Sequence, residues 1–161
     1  MKESIKNIIF DFDLTIADTF DVGIKVLRKV CAENGIDIGD DNKLKEFRNM
    51  TNREIVKELD IPIWKVPHLL KIHEETMFNE IGQSKFIKGM RELIDDLKEN
   101  YNLYILTSNS KVNVLKFFEA NNYIHPFKSI YSERNLFGKH KELSKLIKEE
   151  ELKKRRNYLY R

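Results

Sequence analysis

Asp11-Phe12-Asp13-Leu14-Thr15 stands directly behind the apolar run Ile8-Ile9-Phe10. In an extended segment residues i and i+2 share a face, so Asp11 and Asp13 can converge on one site while Phe12 turns the other way. Two carboxylates brought together can attack, exchange protons or hold a cation. Their repulsion calls for a hard divalent ion and a lysine to balance it. The plainer reading is that an arbitrary Asp-x-Asp solvates the turn after a strand. Two later segments bear on the choice. Thr107-Ser108-Asn109-Ser110 brings hydroxyls, an amide and free backbone N–H groups to the start of a predicted helix near Lys111, a receptive surface for an anion such as phosphate. Ser108 or Ser110 would serve equally well as a simple helix cap. Gly138-Lys139 adds a lysine after a further predicted strand, although solvent is the usual surrounding of lysine.

The elements that must position these groups follow from the hydrophobic pattern. Ile8, Ile9 and Phe10 show no polar alternation, which predicts a strand over roughly residues 5–10 covered on both faces. Ligands of open parallel sheets gather beyond the carboxyl ends of such strands. From about residue 18 to 81 the pattern is helical without strand signals. It divides into a helix from Asp18 toward Asn34, a break from Gly35 to Asp41, a helix through Leu44 and Phe47, one from Asn52 to Leu59 with Asn52 as N-cap, and a last one after Pro62. From Gly89 helix and strand alternate. Met90, Leu93, Ile94 and Leu97 mark a helix, Asn102 to Leu106 a strand, Val114, Phe117 and Phe118 a helix, Ser129 to Tyr131 a short strand, and Leu143, Leu146 and Ile147 a further helix. A βαβα register implies a parallel sheet with right-handed crossovers, and the helical block becomes an insertion over the Asp pair.

Composition narrows the function classes. A chain of 161 residues with 41% hydrophobic and 34% charged residues is that of one globular domain, or a small domain carrying an insertion. The net charge of +3 is too balanced to imply nucleic acid, and Lys153-Lys154-Arg155-Arg156 reads as a solvated helix end. No stretch approaches the ~20 apolar residues of a membrane span and no secretory signal is recognisable, so no membrane partner is expected and the cytosol is the expected compartment. The single Cys31 falls on the stripe Phe20, Ile24, Leu27, Cys31 and reads as a buried small side chain. His68, His73, His125 and His140 have no zinc-site spacing.

In this order the three segments resemble the haloacid dehalogenase-like hydrolase superfamily, in particular its phosphoglycolate phosphatase and β-phosphoglucomutase-like branch. In that family an Asp-x-Asp-x-Thr segment follows the first strand, a Ser or Thr ends the second, and a Lys precedes a later helix. Asp11, Asp13, Thr15, Ser108 and Lys139 fit those places. The resemblance implies an α/β fold, a Rossmann-like parallel sheet core incomplete at the C-terminus with an inserted all-helical cap. Residues 1–17 and 84–161 would form the core and residues 18–83 the cap, with Ile16-Ala17-Asp18-Thr19 as the hinge. It further implies a phosphohydrolase acting on a small phosphorylated metabolite. Asp11 would attack phosphorus to form an aspartyl phosphate, and Asp13 would protonate the leaving oxygen and then activate water. Mg²⁺ would be held by the Asp11 carboxylate and the Asp13 carbonyl. Ser108, the Asn109 N–H and Lys139 would bind the phosphoryl group, and Thr15 would orient the loop.

The family's first strand is central, and its fourth motif is an acidic pair after the next strand. Asn157 to Arg161 reads as the start of that strand and no acidic pair follows, which predicts a truncated member. Glu133 or the run Glu149 to Glu151 could supply replacement carboxylates, although Glu149 to Glu151 reads first as an exposed helix end. Without them, an alternative is a catalytically impaired member that binds a phosphorylated ligand or a protein partner. An open sheet edge beside the catalytic strand, and hence self-association, is also expected. Arg53 lies in a cap region where relatives place a phosphate-contacting arginine, although a surface helix arginine is the commoner reading, while Trp64, Phe78, Leu70 and Met77 read as cap core.

Overall fold

The computed structural model describes residues 5–132, 144, 146–149 and the backbone of 157–160. Its centre is strand β1 (Asn7–Phe10), flanked by β4 (Asn102–Thr107) on one side and β6 (Asn157–Tyr160) on the other. With β5 (Ser129–Ser132) the order is β5-β4-β1-β6, every pair parallel. Successive side chains alternate between two buried faces. Ile9, Tyr104, Leu106, Tyr131 and Leu146 pack on one. Phe10, Leu103 and Ile105 pack on the other with Ile94 of helix α5 (Met90–Leu97) and Val114 and Phe117 of α6 (Lys111–Ala120). Burial on both sides is why these strands lack polar alternation.

Strand β6 runs along the whole of β1, Asn7 opposite Asn157 and Phe10 opposite Tyr160. The edge expected beside the catalytic strand is therefore covered. Among the described residues the free edge on that side belongs to β6 itself. The helix read at Leu143, Leu146 and Ile147 is present at residues 146–149. Glu133, Lys139, Leu143, Glu150, Glu151 and Lys153 to Arg156 lie outside the described residues.

Between β1 and α5 the chain rises into helices. β2 (Ala17–Asp18) and β3 (Lys85–Phe86) pair antiparallel at their base, Ala17 opposite Phe86. Two-residue strands are too short to leave a periodic signal, so the pattern concealed this ribbon, and α1 (Phe20–Glu33) starts after it rather than at Asp18. α2 (Asp41–Glu46) continues into a 3₁₀ turn at Phe47–Asn49, followed by α3 (Asn52–Glu58) and α4 (Val66–Glu80). Cys31, Ile38, Leu44, Phe47 and Leu59 form a second small core here. α1 and α4 lie together, tied by Lys25 Nζ donating to Glu80 Oε2 at 2.8 Å.

Two details of the helical region differ from expectation. The N-cap of α3 is Thr51, not Asn52. Thr51 and Glu54 form a reciprocal capping box, with the Glu54 N–H donating to Thr51 Oγ1 at 3.3 Å and the Thr51 N–H to Glu54 Oε2 at 2.7 Å. Glu54 stands three residues after Thr51 but only two after Asn52, so only Thr51 can close that box. Met77 is buried as predicted, but Trp64 is 76% and Phe78 38% exposed. Each instead carries a cation on its ring, Lys65 Nζ at 5.3 Å over Trp64 and Lys116 Nζ at 3.8 Å over Phe78.

Candidate active site

The strand ends and the helical insertion enclose a cleft of about 990 Å³. Asp11, Asp13, Thr15, Ser108 and Asn109 all line it. The loop after β1 is held by its own backbone, because the Phe12 carbonyl accepts from the N–H groups of Thr15 at 3.3 Å, Ile16 at 2.9 Å and Ala17 at 3.1 Å. Phe12 itself is fully buried, edge-on to Phe117 and Phe118 with centroids 5.2 and 6.3 Å away. One side chain thus anchors the loop in the core while its two neighbours face the cleft.

Asp13 is the best-held group in the site. Its Oδ1 accepts from Thr19 Oγ1 and from Asn109 Nδ2, each at 3.0 Å, and Oδ2 accepts from Thr107 Oγ1 at 3.4 Å. Burial pushes its carboxyl above the usual carboxylate range, and the negative Asp11 nearby adds to the rise. The hydrogen bonds from Asn109, Thr19 and Thr107 favour the charged form and work against it. Burial wins, and the proton is held more tightly than on an exposed aspartate. The Asp11 Oδ1 accepts from the Phe12 N–H at 2.9 Å.

Asn109 links the two strand ends. Its Oδ1 accepts from the Ser110 N–H and from Asn113 Nδ2, both at 2.9 Å, which leaves Nδ2 aimed at Asp13. Its carbonyl accepts from Ser132 Oγ at 2.6 Å, and its N–H donates to Thr107 Oγ1 at 2.9 Å. That N–H, expected to face a phosphoryl oxygen, is turned toward Thr107. The choice between the two serines is resolved: Ser110 caps α6, accepting from the Asn113 N–H at 3.2 Å, while Ser108 is exposed in the cleft. The Thr15 N–H donates to the Phe12 carbonyl at 3.3 Å within the loop.

The residues to which reasoning from sequence gave no individual role are those that act through a neighbour: Thr19, Thr107, Asn113 and Ser132. Thr19 sits two residues beyond Ala17, whose backbone forms a parallel bridge to Asp13, and nothing in its local pattern marks it. Across the cleft stand Arg48, Arg53 and His73. Burial holds the His73 imidazole below its ordinary value, so it is neutral near pH 7. The Arg48 guanidinium lies 5.1 Å over the Phe20 ring.

A hard cation fits the donor set. Asp11 and the Asp13 backbone offer oxygens only, which suits Mg²⁺, and a cation would relieve the repulsion between the two carboxylates. Among the described residues no group of three or more His, Cys, Asp or Glu gathers, so the remaining positions would fall to water and to oxygens of a phosphate.

Residues 8–159 match the family described as haloacid dehalogenase-like hydrolase. The chain belongs to this family. The phosphoglycolate phosphatase of Synechococcus elongatus is 24% identical over 144 residues, covering 89% of this chain and 68% of that protein. Among solved structures, CbbY from Rhodobacter sphaeroides in complex with phosphate superimposes with a TM-score of 0.77 at 19% identity, covering 96% of this chain and 76% of that one. The magnesium-bound YfnB of Bacillus subtilis gives 0.55 at 20% identity, covering 82% and 66%. These likenesses carry the α/β fold, and the resemblance makes this haloacid dehalogenase-like hydrolase a phosphatase-type enzyme.

Proposed function

We propose that the protein is a Mg²⁺-dependent phosphohydrolase of the cytosol, acting on a small phosphorylated metabolite through an aspartyl phosphate on Asp11. The carrying observation is that Asp13, from the loop after β1, is hydrogen-bonded by Thr107 and Asn109, from the end of β4, in a cleft shared with Asp11 and Ser108. Residues nearly a hundred positions apart meet around a pair of carboxylates with opposite needs. Asp13 holds a proton above the usual range, which suits an acid, whereas Asp11 is the group left to attack. The relative named phosphoglycolate phosphatase and the phosphate in the CbbY structure support the substrate class.

In the first half, an Asp11 oxygen attacks phosphorus in line, the ester P–O bond breaks, and the leaving oxygen takes the Asp13 proton. In the second, the Asp13 carboxylate takes a proton from water as that water attacks phosphorus. The acyl-phosphate bond breaks, phosphate leaves and Asp11 is restored. Ser108 and Lys139 would hold phosphoryl oxygens as charge builds on them. Mg²⁺, when bound by Asp11 and the Asp13 carbonyl, would neutralise charge between nucleophile and phosphate. Residues 18–83 would act as the cap that excludes water, on a core of 1–17 and 84–161. We extend the reading to self-association through the edge of β6.

The test is phosphate release from an aryl phosphate in Mg²⁺, with Asp11→Asn as control. Turnover in the wild type, lost in the variant by at least about a thousandfold, is expected. Absence of turnover in both Mg²⁺ and Mn²⁺ would overturn the reading. That no group of three or more metal-binding side chains gathers among the described residues favours one second reading, an impaired member that binds phosphorylated ligands. Ligand-induced thermal shift without turnover selects it.

A further inference from the structure

Two residues on the walls of the cleft run against local backbone preference, in opposite directions. Gly23 lies inside α1, where glycine is less favourable than alanine. Its φ is not left-handed, and a Cβ there would meet no atom within 4 Å. Neither strain nor close packing calls for glycine. The position does line the cleft, with Phe20, Ile24 and Leu27 on the same helix face. Leu14 shows the reverse. It adopts φ 57°, a left-handed conformation that a branched side chain disfavours, within the loop that carries Asp11 and Asp13. Its side chain is not used in the core, for the residue is 38% exposed and lines the same cleft.

A side chain is thus absent where the helix would favour one and present where the backbone would favour none. Such departures gather at functional sites. Both line the cleft that also holds the carboxylates, so they act together on its shape and polarity. Leu14 adds an apolar surface beside Asp13, Gly23 leaves room on the helix, and Ile24 and Leu27 offer that room no hydrogen-bonding group. The Phe20 ring is already covered by Arg48.

We propose that the phosphate ester taken by this cleft carries a bulky apolar leaving group, aryl or branched alkyl, seated between Leu14 and the open face of α1 at Gly23. This rests on the phosphohydrolase reading and specifies its substrate class. Leu14 and Gly23 set specificity and take no part in proton or phosphoryl transfer.

The experiment is calorimetric titration of the full chain in Mg²⁺ with two non-hydrolysable probes, methylphosphonate and benzylphosphonate, which needs no turnover. Wild type is expected to bind benzylphosphonate about tenfold more tightly, the ring's burial being the source of the difference. Gly23→Leu, which fills the room, and Leu14→Gly, which removes the apolar surface, should each bring that ratio toward one. Gly23→Ala, the mildest change, should lower it partway and raise the melting temperature. Equal affinity of the wild type for both probes overturns the proposal and leaves the phosphohydrolase reading standing. A tenfold preference unchanged in all three variants also overturns it, because the ring would then lie elsewhere. Binding of neither probe overturns this inference, and phosphate release from the aryl phosphate then decides the phosphohydrolase reading by itself.

Discussion

Asp13 concentrates the chemistry of this molecule in one carboxyl group. Its folded pKa lies above the value in the unfolded chain, so folding takes up a proton between the two. The native state loses stability as pH rises from the ordinary carboxylate value, about 4, through the raised value. Asp13→Asn should therefore raise the melting temperature near pH 7 in chelator, and the gain should fade toward pH 4. The amide can keep the hydrogen bonds from Thr19 and Asn109 through its oxygen. Thermal unfolding across pH checks this, and a lower melting temperature for the variant at pH 7 would contradict it. The convergence of Asp11 and Asp13 was readable from their spacing. The donors around Asp13 were not, because Thr19, Thr107 and Asn109 reach it through side-chain directions that no linear pattern records.

Among elements, the loop after β1 depends on Phe12 more than on its polar residues. Fully buried between the phenylalanines of α6, this ring fixes where the loop leaves the sheet. Phe12→Ala should cost about 3–5 kcal/mol in denaturant unfolding and lower phosphate release, since the cavity sits directly beneath the two carboxylates. A loss below about 1 kcal/mol would mean that the anchor is elsewhere. The strands and the longer helices were legible, because their periodicity of 2 or 3.6 persists over enough residues. β2 and β3 were not, as two residues cannot display a period. The cap of α3 lies one residue before Asn52, because only Thr51 can close a box with Glu54. Exposed Trp64 and Phe78 mark a limit of hydrophobicity as a guide to burial, since cations can cover rings that the core does not.

For the whole molecule, the sheet order decides where association can occur. β6 protects β1, and among the described residues its outer edge has no strand beside it. Sedimentation should show self-association that grows with protein concentration, and a monomer throughout the range would exclude the edge as a contact. The amino-acid sequence alone determined the class of fold, the central strand and the two carboxylates at its end, because burial on both faces and i, i+2 spacing are local consequences of covalent order. Only the tertiary structure decided which serine is the cap, which groups donate to the Asp13 carboxyl, and that Leu14 and Gly23 line one cleft. Those are relations between segments distant along the chain, and they come into being when the sheet and its helical insertion close around a common space.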